Sequence, residues 1–490
     1  MQGGRRAVRA VLVMSALLLL AAACDWSHYR GGPTLAGVAA ESTLGLGNVA
    51  TLTERWRGSL TDPSMSDSPV VTGGKVHTAA GVFDVGGGTA CSGSPKVCQP
   101  LWTLAGSASV NGPTTVSGGL QVRLPRPALS GGETLAAFDA AGTTGCDGSP
   151  KICQPVRQWQ LPAALATFFG VRIDGLSPPT VVGSTIFAGD FDQYFAASTL
   201  TGDATCAGTP SVCQPAWFGR DVVQVLPIGP PAVVGGRVYV QSAVTGAANV
   251  PSPPAPRGDV VVYDQAGSAS CSGVPVMCDP LWRYELGVHD WQKQQVGPWT
   301  TPVVDGVLYA TRRELVGTGT LGDGVHPSTG TLMAFDANGV QGCTGTPAVC
   351  QPLWSAPLPG NAEHLGLVGI AVSGGHVFVP TESGVSVFDA KGVTGCSGTP
   401  KVCTPVATLT FGASPGTRGS VTIANGVAYV GSMDGLFAFD ANLSQGCSGT
   451  PLVCQPVLHV LGGTSVSTPA VVSGQVHIMS NGQVVTLGLP

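Results

Sequence analysis

Short apolar runs and glycine turns alternate along most of this chain. SPVVTGGKVHT begins at Ser68, NGPTTVSGGLQV at Asn111, SPPTVVGSTIFA at Ser177 and GPPAVVGGRVYV at Gly229. TTPVVDGVLYA begins at Thr300, VGIAVSGGHVFV at Val368, GSVTIANGVAYV at Gly419 and STPAVVSGQVHI at Ser467. Each of these eight copies is an apolar run, a Gly-containing turn and a second run with apolar residues at alternate positions. That is the pattern of two antiparallel strands. In most copies a third strand follows and closes in AFDAAG (from Ala137), VYDQAG (Val262), AFDANG (Ala334), VFDAKG (Val387) or AFDANL (Ala438). A fourth carries Trp102, Trp159, Trp217, Trp282 or Trp354. The pattern predicts an all-β fold, an eight-bladed β-propeller of four-stranded antiparallel blades.

The counts also predict how the ring closes. The last copy, STPAVVSGQVHIMSNGQVVTLGLP, supplies three strands, while LTERWRGSL (Leu52 to Leu60) carries Trp56 and has no unit of its own. The strand at about 52–60 is therefore expected to complete the last blade. The domain reading is a signal segment over 1–23, a lead-in over 24–50 and the propeller over 51–490.

Between third and fourth strands lies a cysteine loop. The pairs are Cys91/Cys98, Cys146/Cys153, Cys206/Cys213, Cys271/Cys278, Cys343/Cys350, Cys396/Cys403 and Cys447/Cys454, and all read C-x-G-x-P-x-x-C-x-P. Structural zinc favours closer spacings and needs two pairs to meet, and seven pairs leave a remainder. Seven identical copies also suit a structural device better than a redox centre. Even, locally paired cysteines in an exported chain predict disulfides. Seven extended steps would span roughly 24 Å, so the segment must double back to bring the sulfurs together. Each bridge is expected to pin the local turn into a blade's outermost strand, without tying distant parts together. Seven loops for eight blades follow from the closure, because no chain runs between the last third strand and its fourth.

Composition narrows the function classes. Charged residues are 10%, with Gly 71 and Pro 39, but 43% of residues are hydrophobic and regularly placed, which argues against disorder. The net charge is -5 and no Lys/Arg cluster follows Arg9, so no nucleic-acid partner is expected. The N-terminus places Arg5, Arg6 and Arg9 before VLVMSALLLLAAA and Cys24. This resembles a bacterial lipobox and implies cleavage before Cys24 and lipidation of its thiol; an ordinary signal peptide with an incidental cysteine is the alternative. The expected location is exported, lipid-anchored at the outer side of the cell membrane in the cell envelope, with the membrane as a partner through that lipid.

The signature A-x-D-x-x-G followed by a tryptophan resembles the repeat of the PQQ-like, or quinoprotein alcohol dehydrogenase-like, propellers. Asp139, Gly142 and Trp159 match it, as do Asp264, Gly267 and Trp282, and Asp336, Gly339 and Trp354. DWSHYRGGP (Asp25 to Pro33) and GNVATLTERW (Gly47 to Trp56) look like the lead-in of such proteins. CTPVATL and CQPVLHV lack the tryptophan, and AASTLTG replaces one Asp turn. The resemblance implies a quinone stacked between a tryptophan and adjacent cysteines in the enzymes, with calcium held by Glu and Asn and an Asp as base. This chain has no adjacent cysteines. The family also includes cofactor-free scaffold lipoproteins. The reading is therefore a non-enzymatic binding or scaffold module with no cofactor expected. The alternative is a PQQ- and calcium-dependent dehydrogenase of alcohols or sugars.

Propeller topology puts the cysteine loops and GG turns on one face. The long loops at 123–132, 242–258 and 311–330 fall on the other, with the links ATFFGVRID and GVHDWQKQQVGPW. Phe168, Phe169, Arg172, His289, Asp290, Trp291, Trp299, Arg312 and Arg313 form the candidate binding face for a protein or small-molecule ligand. The competing reading is that these side chains plug the channel entrance and pair with one another. His289 and Asp290 are a candidate base and orienter. GDFDQY (Gly189 to Tyr194) lacks the alternating oxygens of a calcium loop, and no metal site is expected. His77, His376 and His477 sit in second strands as packing residues.

Overall fold

Eight sheets make up the computed structural model, one per blade, with no α-helix among the described residues. The residues described are 25–60, 68–106, 113–123, 134–160, 177–189, 195–219, 229–241, 257–288, 300–315, 328–358, 369–412 and 416–490. Blade 4 shows the plan. Ala232–Val234, Arg237–Gln241, Arg257–Asp264 and Trp282–Val288 pair antiparallel in chain order, from the inner strand to the outer. Thr53–Ser59 pairs antiparallel with Gln483–Gly488, so the N-terminal strand completes blade 8 as expected.

The cysteine loop does something that sequence spacing did not show. Each is a small hairpin with the two cysteines opposite one another, bridged at Cα–Cα 3.9–4.0 Å. Its tip needs a left-handed residue, which glycine supplies: φ is +87° at Gly93 and +89° at Gly345. The hairpin's second strand then pairs, in parallel, with the outer strand of the preceding blade. Trp282 and Arg283 of blade 4 face Ala348 and Val349 of the blade 5 hairpin. An open sheet edge is a template for unwanted pairing. Here the hairpins cover the outer edges of blades 1–6 and 8, and among the described residues the blade 7 sheet carries none.

This docking corrects the expectation that each bridge pins only a local turn. The second cysteines, Cys98, Cys153, Cys213, Cys278, Cys350, Cys403 and Cys454, are all buried in the core, at no more than 1% exposure. Their partners Cys91, Cys146, Cys206, Cys271, Cys343, Cys396 and Cys447 are half-buried. The reason is the parallel pairing, which turns the second strand of the hairpin onto the preceding blade. Cys98 thus joins the apolar cluster of Trp56, Cys153 that of Trp102 and Cys213 that of Trp159. Cys278 joins the cluster of Trp217, Cys350 that of Trp282 and Cys403 that of Trp354. Cys454 packs with Leu409 and Phe437, where blade 6 has no tryptophan. Each of these sulfurs is therefore part of the packing between two blades, and each bridge stiffens an element that spans both.

A second lock joins neighbours. In blades 1, 3, 4, 5 and 8 the outer-strand tryptophan lies on the glycine of the next blade's turn, whereas in blade 2 Arg157 takes that place against Gly202. Trp102 sits against Gly142 and Trp56 against Gly87, where an added Cβ would come within 2.5 Å of the ring in each case. The indole N–H of Trp56 donates to Val85 O at 3.0 Å, that of Trp159 to Thr199 O at 3.1 Å and that of Trp282 to Ala337 O at 3.3 Å. The tryptophan thus meets the turn of the following repeat, not the turn of its own. Where blade 6 lacks the tryptophan, Ala407 takes its place, and Leu443 stands at the turn position held elsewhere by glycine. Blade 7 lacks it as well, with Leu458 at that position opposite Ala438. In blade 3, Asp203 stands in for the missing Asp, accepting from Thr205 N and Thr199 Oγ1.

Candidate binding site at the propeller axis

Inner strands face the axis with unpaired backbone groups, and the lead-in satisfies them one blade at a time. Trp26 exchanges two backbone bonds with Val71 of blade 1. Ser27 O accepts from Val116 N of blade 2 at 2.8 Å. His28 Nε2 lies 2.9 Å from Val181 O of blade 3 and donates to it. Pro33 O, Thr34 O, Ala36 O and Gly37 O then accept from Val233, Val303, Val372 and Ile423, one in each of blades 4–7. Val38–Ala39 adds a parallel strand to blade 7. Glu41 Oε2 accepts from Gly474 N of blade 8 at 2.9 Å. Residues 26–41 therefore visit all eight blades in order. They cross the axis near the first-to-second-strand turns, on the face that carries the cysteine hairpins.

The side chains of this segment form a floor. Tyr29, Arg30 and Leu35 are buried. Arg30 donates to Val421 O at 2.6 Å and Ile370 O at 2.5 Å. Those carbonyls lie two residues before Ile423 and Val372 on their strands, so the guanidinium reaches from the floor toward the opposite face. Burial lowers the Arg30 pKa to about 10, and Arg30 Nε has no partner among the described residues. The wall beside it carries hydroxyls. Thr115 Oγ1 donates to Pro179 O, Thr180 Oγ1 to Pro231 O and Thr422 Oγ1 to Pro469 O, each from one blade to the next. Ser177 Oγ and Thr301 Oγ1 are buried without partners among the described residues. A positive floor under a hydroxyl-bearing wall suits hydrogen bonding and anionic groups.

Second strands add buried polar groups between blades. His77 Nδ1 meets Gln121 Oε1 at 3.0 Å, and burial, only partly offset by that bond, pulls its pKa down to about 4. Burial lowers His477 to about 3. Both are neutral near pH 7. His376 is less buried and stands edge-on to Phe378. Arg123 donates to Ala105 O at 2.6 Å and lies over the Phe138 ring.

Of the candidate face, Phe168, Phe169, Arg172, His289, Asp290, Trp291 and Trp299 lie outside the described residues, as do Cys24 and residues 190–194. Arg312 and Arg313 belong to one strand, Val307–Leu315, paired opposite Thr331 and Gly330. The stretch expected to loop from Thr311 therefore continues as strand to Leu315. Likewise Trp282–Val288 extends into the link before His289. Tyr29, Arg30 and the hydroxyl belt were missed. Their sequence signal was the recurring Ser/Thr beside proline at the start of the repeats, as in SPP, TTP and STP. Among the described residues no group of three or more His, Cys, Asp or Glu is gathered for a metal.

No protein-family model matches the chain, and no curated protein matches it. Among solved structures, quinohemoprotein alcohol dehydrogenase ADHIIG from Pseudomonas putida HK5 is similar with a TM-score of 0.52 at 12% identity, over 95% of this chain and 80% of that one. The fold is that of the quinoprotein-type propellers. The computationally designed Ika8 protein gives 0.51 at 11% identity over 89% and 99%. BamB from Moraxella catarrhalis gives 0.49 at 13% over 90% and 98%. Identities this low show the fold alone. The quinone seat implied by the resemblance needs adjacent cysteines near the axis. In this chain the fourteen cysteines after Cys24 are all bridged in hairpins on the outer edges of blades. The described residues offer no seat of that kind. Seven disulfides belong to an oxidising compartment, outside the cytoplasm.

Proposed function

We propose that this chain is a lipid-anchored envelope protein whose propeller works as a binding or scaffold module. The observation that carries the reading is the lead-in, hydrogen-bonded to all eight blades. It makes the ring a stiff drum with one face closed by its own chain. It would also set the orientation of the anchored chain. Asp25 Oδ2 accepts from the Thr72 hydroxyl at 2.6 Å beside the first blade's GG turn. A lipid on Cys24 would draw the hairpin face toward the membrane. The opposite face, with Arg312, Arg313 and the links bearing Phe168, Arg172, His289 and Trp291, would point away, toward a protein or small-molecule ligand.

Two measurements test this. Cys24→Ala should move the protein from the membrane fraction to the soluble fraction and abolish labelling by a clickable fatty acid. Unchanged membrane attachment would overturn the anchor. Purified protein loaded with PQQ and calcium should reduce no electron-acceptor dye when given alcohols or sugars. Reproducible dye reduction would instead establish the dehydrogenase.

A further inference from the structure

We propose that the outer strand of blade 7, Leu458–Val460, is a β-strand addition site for an extended segment of a partner protein. The seat is defined by the other seven blades. Each of their outer strands already carries a parallel strand from the next repeat's hairpin. Outward amides make those bonds: Thr103 N donates to Lys151 O at 2.9 Å, Phe218 N to Val276 O at 2.9 Å and Ser355 N to Lys401 O at 3.1 Å. His459 holds the same position in blade 7. It lies two residues after Val457, whose N–H donates to Ala438 O just as Leu101 N does to Val82 O and Leu353 N to Ala334 O. No hairpin can follow there within this topology, because the outer strand of blade 8 comes from Thr53–Ser59 at the other end of the chain. Among the described residues nothing pairs with the free side of Leu458–Val460.

The edge lacks the usual protection. Val457-Leu458-His459-Val460-Leu461 has no lysine, carboxylate or proline, which are the features that blunt natural edges. His459 is exposed, whereas Thr103 and Thr408, beneath their hairpins, are half-buried. The seven hairpins also state what fits. The residue seated opposite the His459 position is Ile152 on Thr103, Val212 on Gln158, Val349 on Arg283, Val402 on Ser355 and Val453 on Thr408. On Arg57 it is Val97, and on Phe218 it is Met277. The occupant is thus an extended, parallel segment with a β-branched residue at its centre and backbone pairing as its main bond. A second copy of the chain does not supply it. Its hairpins are all committed to its own blades, and a two-fold pairing of this edge with itself would run antiparallel. The site sits on the rim, so it stands or falls independently of the axial site and of the anchor.

The hairpins provide the probe. A fluorescent, oxidised peptide of sequence CSGTPKVC, residues 396–403, is titrated into the whole protein up to millimolar concentration. Saturable one-to-one binding is expected, with amide exchange at His459 slowed at least tenfold. His459→Ala keeps the N–H and should still bind. His459→Pro removes the N–H and should abolish binding while melting within a few degrees of the parent. Absence of saturable binding, or unchanged exchange at His459 in the parent protein, would overturn the site. So would a dimer that dissociates on His459→Pro, because the edge would then serve self-association.

Discussion

At the scale of single residues, the most informative contact is an aromatic ring on a glycine. Gly142 has φ +69°, and an added methyl would lie 2.5 Å from the Trp102 ring. Gly119, two strands earlier in the same blade, has φ +76° but open space around it. The pair separates backbone strain from steric clash. Gly119→Ala should cost about 1 kcal/mol, the left-handed penalty alone. Gly142→Ala should cost about 1–3 kcal/mol more, from overpacking against the indole. Denaturant midpoints of the two variants at a common m-value check this. Equal losses would mean that the ring moves aside freely. Sequence showed Asp, Gly and Trp as recurring letters, but not which repeat's glycine meets which tryptophan. A turn glycine is followed by a tryptophan within its own repeat, as Gly267 is by Trp282 and Gly339 by Trp354, and only the assembled ring shows that the contact passes to the next blade. The exception supports the assignment, since Ala407 without a ring coincides with Leu443 at φ +60°.

At the scale of elements, the Asp turn and the cysteine hairpin act together. Asp139 Oδ2 accepts from Thr143 N at 2.8 Å and Thr144 N at 2.7 Å, which aims the chain into the hairpin. Burial alone would raise the pKa of Asp139. The bonds from Thr143, Thr144 and Ala141 outweigh it and hold the group at about 2. Burial would raise Asp264, Asp336, Asp389 and Asp440 as well, and the bonds within their turns outweigh it in the same way. A carboxyl depressed in the folded state stabilises it above the unfolded pKa, near 3.9. That stability is lost as pH falls through the folded value. The melting temperature should therefore be flat from pH 7 to about 5 and drop steeply toward pH 2. Asp139→Asn should make that drop shallower, as followed by circular dichroism. A melting temperature independent of pH over this window would refute the role of the turns. The disulfides were legible because their spacing admits no other local partner. Their pairing with the neighbour's edge, and the burial of Cys98 and its six counterparts that follows from it, were not. A hairpin of this length fixes its own strands and leaves its docking to the ring.

The whole ring rests on two closures, and only one could be counted from sequence. The N-terminal strand in blade 8 follows from eight inner pairs and one orphan tryptophan strand, LTERWRGSL. The crossing of the axis by residues 26–41 does not, because a segment that meets a new blade every two residues or so has no helical or strand period to read. Physically it answers a need that the repeats create. Eight inner edges converge with unpaired amides, and a buried amide without a partner costs about 1–3 kcal/mol. Removing residues 25–40 should therefore release Val116, Val233, Val303, Val372 and Ile423 together, although they sit in five different blades. Each bond is worth about 1 kcal/mol, so exchange at each amide should rise roughly fivefold. Amides of the outer strands, such as Leu101 and Leu353, should keep their protection. Hydrogen exchange on the shortened chain, with and without a peptide of residues 25–40 added back, decides it. Release confined to blade 7, where Val38–Ala39 forms a true strand, would mean that the lead-in anchors one blade and merely covers the rest.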